Sequence, residues 1–286
     1  MIITVTGATG FLGNALCRAL EKKGHVVYKF SSSNLDLRGD ISLPRCDLLY
    51  HIGGNSRVYL AKQKPMYDFE VNALGTVKVI EAVIKSRIPK IVLTSSNSVY
   101  GDLVAEDEKC PTGQNSYGSF YGLSKLTSEL YLKEYAEYFG FEYVIFRPSN
   151  FYGPGMVKNV IIDLINAFLE NRDTKIGLTF DSKIDFIYID DLVSAYCLAM
   201  GLKDEILNLS YGVSTQIKDV VEYVSNSFDK KVKIQEGTNK VIIETGNKKL
   251  CSMGWKPEVD IKTGIRNTVE DFKRNAEIRN YSKNIW

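Results

Sequence analysis

The chain has 286 residues, with 36 Lys and Arg against 34 Asp and Glu for a formal net charge of +2; this length supports one large α/β domain or two modest ones around a substantial core, and the near balance of charge excludes a general positive field drawing it to nucleic acid or anionic lipid. No apolar run approaches the roughly 20 residues of a membrane span, and no basic region followed by a long apolar stretch opens the chain. Five widely spaced cysteines, Cys17, Cys46, Cys110, Cys197 and Cys251, form neither a CxxC pair nor a Cys/His cluster, so free thiols in a reducing cytosol and a soluble cytoplasmic protein are expected.

Residues 1–5 form a short β-branched apolar run, and 11–23 then place Phe11, Leu12, Ala15, Leu16, Ala19 and Leu20 at helical spacing. Further along, the pattern predicts strands at 25–30 and 47–52, a helix over 71–85, a strand at 90–93, a helix over 124–138 and a strand at 143–146. Strands alternating with helices imply right-handed crossovers and a parallel sheet covered on both faces, a doubly wound α/β fold. After the loop 148–155 the rhythm changes to a helix over 159–170, a strand at 183–189, and helices over 190–202, 217–228 and 261–273. A smaller C-terminal lobe is expected to begin near Asn150, and the tail 274–286 reads as a surface extension.

Between the first strand and the first helix lies Thr6-Gly7-Ala8-Thr9-Gly10-Phe11-Leu12-Gly13. Gly7 permits a tight turn, Gly10 lets backbone approach a pyrophosphate, and Gly13 lets the helix pack closely on the sheet, in the manner of a Rossmann dinucleotide site. An acidic residue at the end of the second strand would accept from the adenosine ribose and repel a 2′-phosphate. This chain has Ser31-Ser32-Ser33 there, with Lys29 and Arg38 nearby, which points to NADP, with NAD as the alternative.

Tyr121-Gly122-Leu123-Ser124-Lys125 sets a tyrosine and a lysine four apart on one helix face. An adjacent ammonium is expected to lower the phenol from its usual value of about 10 so that Tyr121 can shuttle a proton. The strand at 90–93 leads into Ser95-Ser96-Asn97-Ser98-Val99-Tyr100-Gly101, at the carboxyl end of the sheet where reactive groups gather. The only histidines are His25 and His51; His51 ends a buried strand and reads as a satisfied core residue, so no metal site is expected.

TGATGFLG, SSNSVYG and YGLSK, in this order and spacing, resemble the extended short-chain dehydrogenase/reductases that act on nucleotide sugars. Gly39-Asp40-Ile41, His51-Ile52-Gly53-Gly54, Asn72-Ala73-Leu74-Gly75-Thr76, Arg147 to Gly155, Asp185 to Asp191 and Met253 to Pro257 agree with it. By position, the resemblance makes Tyr121 the general acid/base, Lys125 its partner and nicotinamide-ribose ligand, and Ser96 the group that holds the reacting sugar oxygen. It assigns Gly7, Thr9, Gly10, Phe11, Leu12, Gly13, Ser31, Ser32, Arg38, Asp40, Ile41, Ile52, Gly53, Gly54 and Pro148 to the cofactor. Asn97, Asn150 and Lys183 are assigned with Ser96 to a nucleotide-sugar substrate, and Asn72 is either a structural anchor or a contact. Residues 1–150 would form the dinucleotide domain with the catalytic groups. Residues 151–286 would be mainly the substrate lobe, with some segments returning to the first domain, and two helices would pair across a homodimer.

Family members that dehydrate the sugar carry an Asp-Glu pair after the catalytic hydroxyl residue, where this chain has Asn97-Ser98; decarboxylating relatives place Glu at the position of Ser98. Neither residue present does acid/base work at neutral pH, and no Cys near Ser96 supports epimerisation beside a ketone. The missing acid at Ser31 and the nine residues between Ser31 and Ile41, too few for a crossover helix, favour an NADPH-dependent 4-ketoreductase. The NALGT and RPSNFYGPG motifs favour the alternative, a 4-epimerase with tightly bound NAD; a non-catalytic NADP sensor is the reading from a different class. Two departures stand out. Ile184 occupies the place of the usual diphosphate-binding Arg, and the Asp before Gly254-Trp255 is missing, leaving Lys183, Lys248 and Lys249 as point charges.

Overall fold

Six strands line up in the spatial order Val26–Phe30, Ile2–Thr6, Leu48–His51, Lys90–Thr94, Glu142–Pro148 and Glu205–Leu209, all parallel to their neighbours. This computed structural model describes residues 1–101, 104–113 and 119–283. The chain leaves Ile2–Thr6 toward one edge and then returns to place Leu48–His51 on its other side. The direction of winding therefore reverses between these two strands, and a crevice opens beyond their carboxyl ends.

Two apolar cores flank the sheet because inner strands buried on both faces send alternate side chains to opposite sides. Leu48 and Tyr50 join the core containing Leu12, Leu16, Leu20 and Tyr196, under the helices Phe11–Lys22 and Ile189–Leu198. Leu49, Ile91 and Leu93 join the other, with Val79, Ile80, Val83 and Leu132, under Gly75–Lys85 and Ser119–Phe139. The chain runs from Phe30 to Leu48 without a helix, as the short spacing after Ser31 requires.

The five strands expected for the parallel sheet are present, as is the strand expected at 183–189, seen as Lys183–Tyr188, and the fold is the expected doubly wound α/β sheet. Periodicity did not find the sixth strand, Glu205–Leu209, which sits beside Glu142–Pro148. Nor did it resolve 58–74. Instead of one helix from residue 71, the chain makes the short helices Val58–Gln63 and Pro65–Asp68, a π-turn over Phe69–Leu74, and only then Gly75–Lys85. Of the tail expected over 274–286, the part up to Lys283 continues the helix Ile261–Lys283, and 284–286 lie outside the described residues.

In the C-terminal half, Lys183–Tyr188 pairs with Asn150–Tyr152, Ser214–Gln216 and Ile242–Ile243. A joint ties two of the sequence motifs together there. Asp191 accepts from the backbone N–H of Glu258 (2.9 Å) and Val259 (3.0 Å), and Trp255 donates its indole N–H to Ser194 Oγ at 2.8 Å.

Candidate active site

The glycine loop sits at the mouth of the crevice. Gly7 turns with φ of +71°, and a Cβ on Gly13 would stand 2.1 Å from the Gly7 carbonyl oxygen, so only glycine lets the helix start on top of this turn. Gly10 caps the helix without a side-chain hydrogen bond, and Thr9 and Gly10 are exposed. Free first-turn amides and a positive helix end suit a pyrophosphate. Leu12 is buried in the core, which leaves its backbone as the part that can face a ligand. Phe11 is half-buried and stacks on Phe151, with ring centroids 6.0 Å apart and planes 3° from parallel.

The turn after Leu48–His51 is held against this loop by a chain of polar groups. Gly53 N–H donates to Thr6 Oγ1 at 3.2 Å; Thr6 Oγ1 and His51 Nδ1 are 2.7 Å apart; His51 Nε2 and Thr76 Oγ1 are 3.1 Å apart; and Thr76 donates to the Asn72 carbonyl at 2.5 Å. Because Thr76 donates onward, it accepts from His51 Nε2–H, and Nδ1 accepts from Thr6. Burial, aided by Lys125, pulls His51 down to about 3, so the ring is neutral and structural. Pro148 lies buried at the end of its strand, and Ile52, Gly53 and Gly54 line the turn.

At the adenosine end, Ser31 and Ser33 share a hydrogen bond of 2.8 Å between hydroxyls, Ser31 N–H donates to Asn34 Oδ1 at 2.7 Å, and Ser32 is exposed. The two cations expected to favour a 2′-phosphate both have carboxylate partners. Lys29 meets Glu21 at 2.7 Å, while Arg38 donates through Nε and Nη2 to Asp36 at 3.1 and 3.0 Å. Lys78 ties down the carbonyls of Arg38 and Gly39; next to them, Asp40 is exposed and Ile41 half-buried.

Ser96, Tyr121 and Lys125 converge at the carboxyl end of Lys90–Thr94. All three are more than nine-tenths buried. Tyr121 hydrogen-bonds Ser96, Ser96 Oγ accepts from Ser98 N–H at 3.1 Å, and Lys125 Nζ donates to the Thr94 carbonyl at 2.8 Å. One expectation is corrected here. Burial pushes the Tyr121 phenol up to about 12, opposed by the Ser96 hydrogen bond and reinforced by Asp68, so desolvation outweighs any help from the lysine and the phenol is protonated at neutral pH. Burial likewise pulls Lys125 down to about 8, against the pull of Asp68 and Glu129.

Two buried networks around these groups escaped the sequence reading. Asp68 accepts from Asn55 Nδ2 (2.6 Å), Asn72 Nδ2 (3.0 Å) and Ser124 Oγ (2.7 Å). Asn72 also accepts from Asn55 N–H at 2.8 Å and is 1% exposed, bonds that suit the anchor role expected of it. On the other side, Arg147 donates to Glu129 at 2.6 Å and to Tyr100 OH at 2.8 Å, and Ser95 donates to Glu129. Glu129 was within reach of periodicity, since Tyr121, Lys125 and Glu129 repeat every four residues along one helix face. Asp68 carried no such signal.

The substrate candidates are spread more widely. Asn97 is half-buried and donates to Thr245 Oγ1 at 3.4 Å, and Asn150 is half-buried in the strand register opposite Phe186. Lys183 is half-exposed and 4.0 Å from Glu244. Ile184 belongs to the apolar core. Lys249 pairs with Glu205 at 2.6 Å and donates to the Ile206 carbonyl at 2.9 Å, so it is not an uncommitted phosphate ligand, while Lys248 is exposed.

Among the described residues no helix is long and apolar enough to cross a membrane. A model of the NAD dependent epimerase/dehydratase family matches residues 3–210. A "Putative UDP-glucose 4-epimerase" of Methanocaldococcus jannaschii is 30% identical over 96% of this chain and 99% of its own. Among solved structures, the Thermus thermophilus UDP-glucose 4-epimerase complex with NAD superposes with a TM-score of 0.87 at 24% identity, over 96% of this chain and 99% of that one. RMD from Pseudomonas aeruginosa complexed with NADPH superposes at 0.85 and 22% identity, over 96% and 100%. The family match over most of the chain, together with the glycine loop and the Ser96, Tyr121 and Lys125 cluster it encloses, places this chain in the NAD dependent epimerase/dehydratase family.

Proposed function

We propose that the chain is a nucleotide-sugar 4-epimerase that keeps NAD bound through its cycle. The observation that carries the choice of cofactor is the pairing of Lys29 with Glu21 and of Arg38 with Asp36, which leaves the two cations that the sequence sets near Ser31 already paired with carboxylates rather than aimed at a 2′-phosphate. The UDP-glucose 4-epimerases among the relatives support the reaction. When bound, the nicotinamide supplies the hydride acceptor and donor and, while oxidised, a positive charge that favours the phenolate.

This chain's residues then handle the proton. Ser96 holds the C4 oxygen of the sugar, Tyr121 takes the proton from the C4 hydroxyl as the carbonyl forms and returns it as the hydroxyl is remade, and Lys125 holds the nicotinamide ribose. Gly7, Thr9, Gly10, Phe11, Leu12 and Gly13 embrace the pyrophosphate. Ser31, Ser32, Arg38, Asp40 and Ile41 surround the adenosine, and Ile52, Gly53, Gly54 and Pro148 the middle and nicotinamide end. Asn97, Asn150 and Lys183 face the nucleotide sugar. Residues 151–286 serve mainly as the substrate lobe.

The NADPH-dependent 4-ketoreductase remains the second reading. It is favoured by the absence of a carboxylate where the strand Val26–Phe30 ends and by the helix-free path from Phe30 to Leu48. Denaturing the purified protein and quantifying the released nucleotide separates the two. Near-stoichiometric NAD, with UDP-glucose converted to UDP-galactose and no net change in NADH absorbance, is expected. A cofactor-free protein that consumes NADPH with a 4-keto sugar nucleotide would overturn the epimerase in favour of the reductase.

The homodimer expected from the family has a surface to use. Phe120, Leu123, Leu130 and Tyr131 on Ser119–Phe139, and Phe69 and Leu74 beside Gly75–Lys85, are large apolar side chains left exposed. Sedimentation at micromolar concentration should give twice the mass of one chain; a monomer would refute the pairing.

A further inference from the structure

Asp68 closes the short helix Pro65–Asp68 and is fully buried. Both of its oxygens are used: Oδ1 accepts from Asn55 Nδ2 at 2.6 Å and Asn72 Nδ2 at 3.0 Å, and Oδ2 accepts from Ser124 Oγ at 2.7 Å. All three partners are neutral. A buried carboxylate is costly without a cation, and an amide side chain could satisfy the same three groups, so these hydrogen bonds alone give no reason for a charge here.

The reason lies one residue beyond Ser124. Lys125 Nζ donates to the Thr94 carbonyl at 2.8 Å and feels the charges of Asp68 and Glu129, while His51, which burial keeps neutral, adds no charge to the group; Tyr121 stands one turn earlier on the same helix. Glu129 is already paired with Arg147. That leaves Asp68 as the carboxylate among these groups with no cation bonded to it. The same side chain reaches the cofactor side, because Asn55 and Asn72 exchange hydrogen bonds and a Cβ on Gly54 would lie 2.6 Å from Asn72 Oδ1 and 3.7 Å from Lys125 Nζ.

We propose that Asp68 is a positioning residue of the reaction: it ties the Gly53–Asn55 turn to the helix bearing Tyr121 and Lys125, and it provides the counter-charge that keeps Lys125 an ammonium. The inference rests on Tyr121 and Lys125 being the catalytic pair. Its charge acts on both: it favours protonated Lys125 and disfavours ionised Tyr121.

The test is the pH profile of kcat of the NAD-loaded enzyme carrying Asp68→Asn, which preserves shape and hydrogen bonding and removes the charge. With the negative charge gone, both groups lose their protons at lower pH, so both limbs of the profile should move toward acid by about one unit. A purely structural Asp68 would lower kcat with the limbs in place, and that result overturns the counter-charge. Ser124→Ala keeps the charge and cuts the tie to the helix; its kcat should fall about tenfold to a hundredfold with the profile unmoved, and an unchanged kcat overturns the positioning role even if the Asp68 variant does not fold. Tyr121→Phe assayed beside them keeps the two ideas apart, since turnover surviving in that variant sinks the catalytic pair itself rather than Asp68.

Discussion

Turnover of the Tyr121→Phe enzyme is expected to fall by about a hundredfold to ten-thousandfold, the usual contribution of a positioned acid/base, with nucleotide retention and fold unchanged. The substitution removes one oxygen from a side chain that is 8% exposed and leaves its ring packing intact. What is lost is the hydroxyl bonded to Ser96, the group to which the proposed reaction assigns the giving and taking of a proton at the sugar oxygen. Because burial raises this phenol to about 12, it begins as a good hydrogen-bond donor and a reluctant base. The proposed reaction therefore requires nearby positive charge to draw the proton off during sugar oxidation. Interconversion of UDP-glucose and UDP-galactose by the variant at the wild-type rate would remove Tyr121 from the mechanism.

Glu129→Ala is expected to cost about 3–5 kcal/mol of stability, because it strands a buried guanidinium. The side chains of Arg147 and Glu129 are 5% and 2% exposed and meet at 2.6 Å. Arg147 also donates to Tyr100 OH and sits 4.9 Å over the Tyr100 ring, Tyr100 donates to Asn208 Oδ1 at 2.7 Å, and Ser95 loses its acceptor if Glu129 is removed. The damage should spread to the Ser95–Ser96 turn, so turnover falls along with the melting temperature. Replacing both partners with apolar residues, as Glu129→Leu with Arg147→Met, should recover much of the loss, since paired removal leaves no orphan charge. A melting temperature of Glu129→Ala equal to the wild type would show that the pair is solvated and weak.

Local pattern was enough for much of this protein. Residues 1–31 specify a strand, a glycine turn and a helix whose packing needs Gly13, because those constraints act between neighbours in the chain. The apolar stretches within the strands expected at 47–52 and 90–93, Leu48 to Tyr50 and Ile91 to Leu93, likewise announce strands buried on both faces, and Tyr121 and Lys125 share a helix face by spacing alone. The strand Glu205–Leu209 was missed because its alternation is short and its partner, Glu142–Pro148, is distant in the chain.

The cofactor question shows where sequence stops. Read along the chain, Lys29 and Arg38 are two positive charges beside Ser31; in three dimensions each has found a carboxylate, Glu21 one helix away and Asp36 two residues back, and the argument for a 2′-phosphate loses its cations. The same limit hid Asp68, a lone acid between Tyr67 and Phe69 until the π-turn and the helix Ser119–Phe139 bring Asn72 and Ser124 to it from 4 and 56 residues away. The sequence by itself determined the fold class, the dinucleotide loop and the serine, tyrosine and lysine that meet beside it, because periodicity and turn chemistry are local. Only the tertiary structure decided which charges are free, which are buried and which way burial moves Tyr121, because desolvation and pairing depend on groups that sequence order keeps apart.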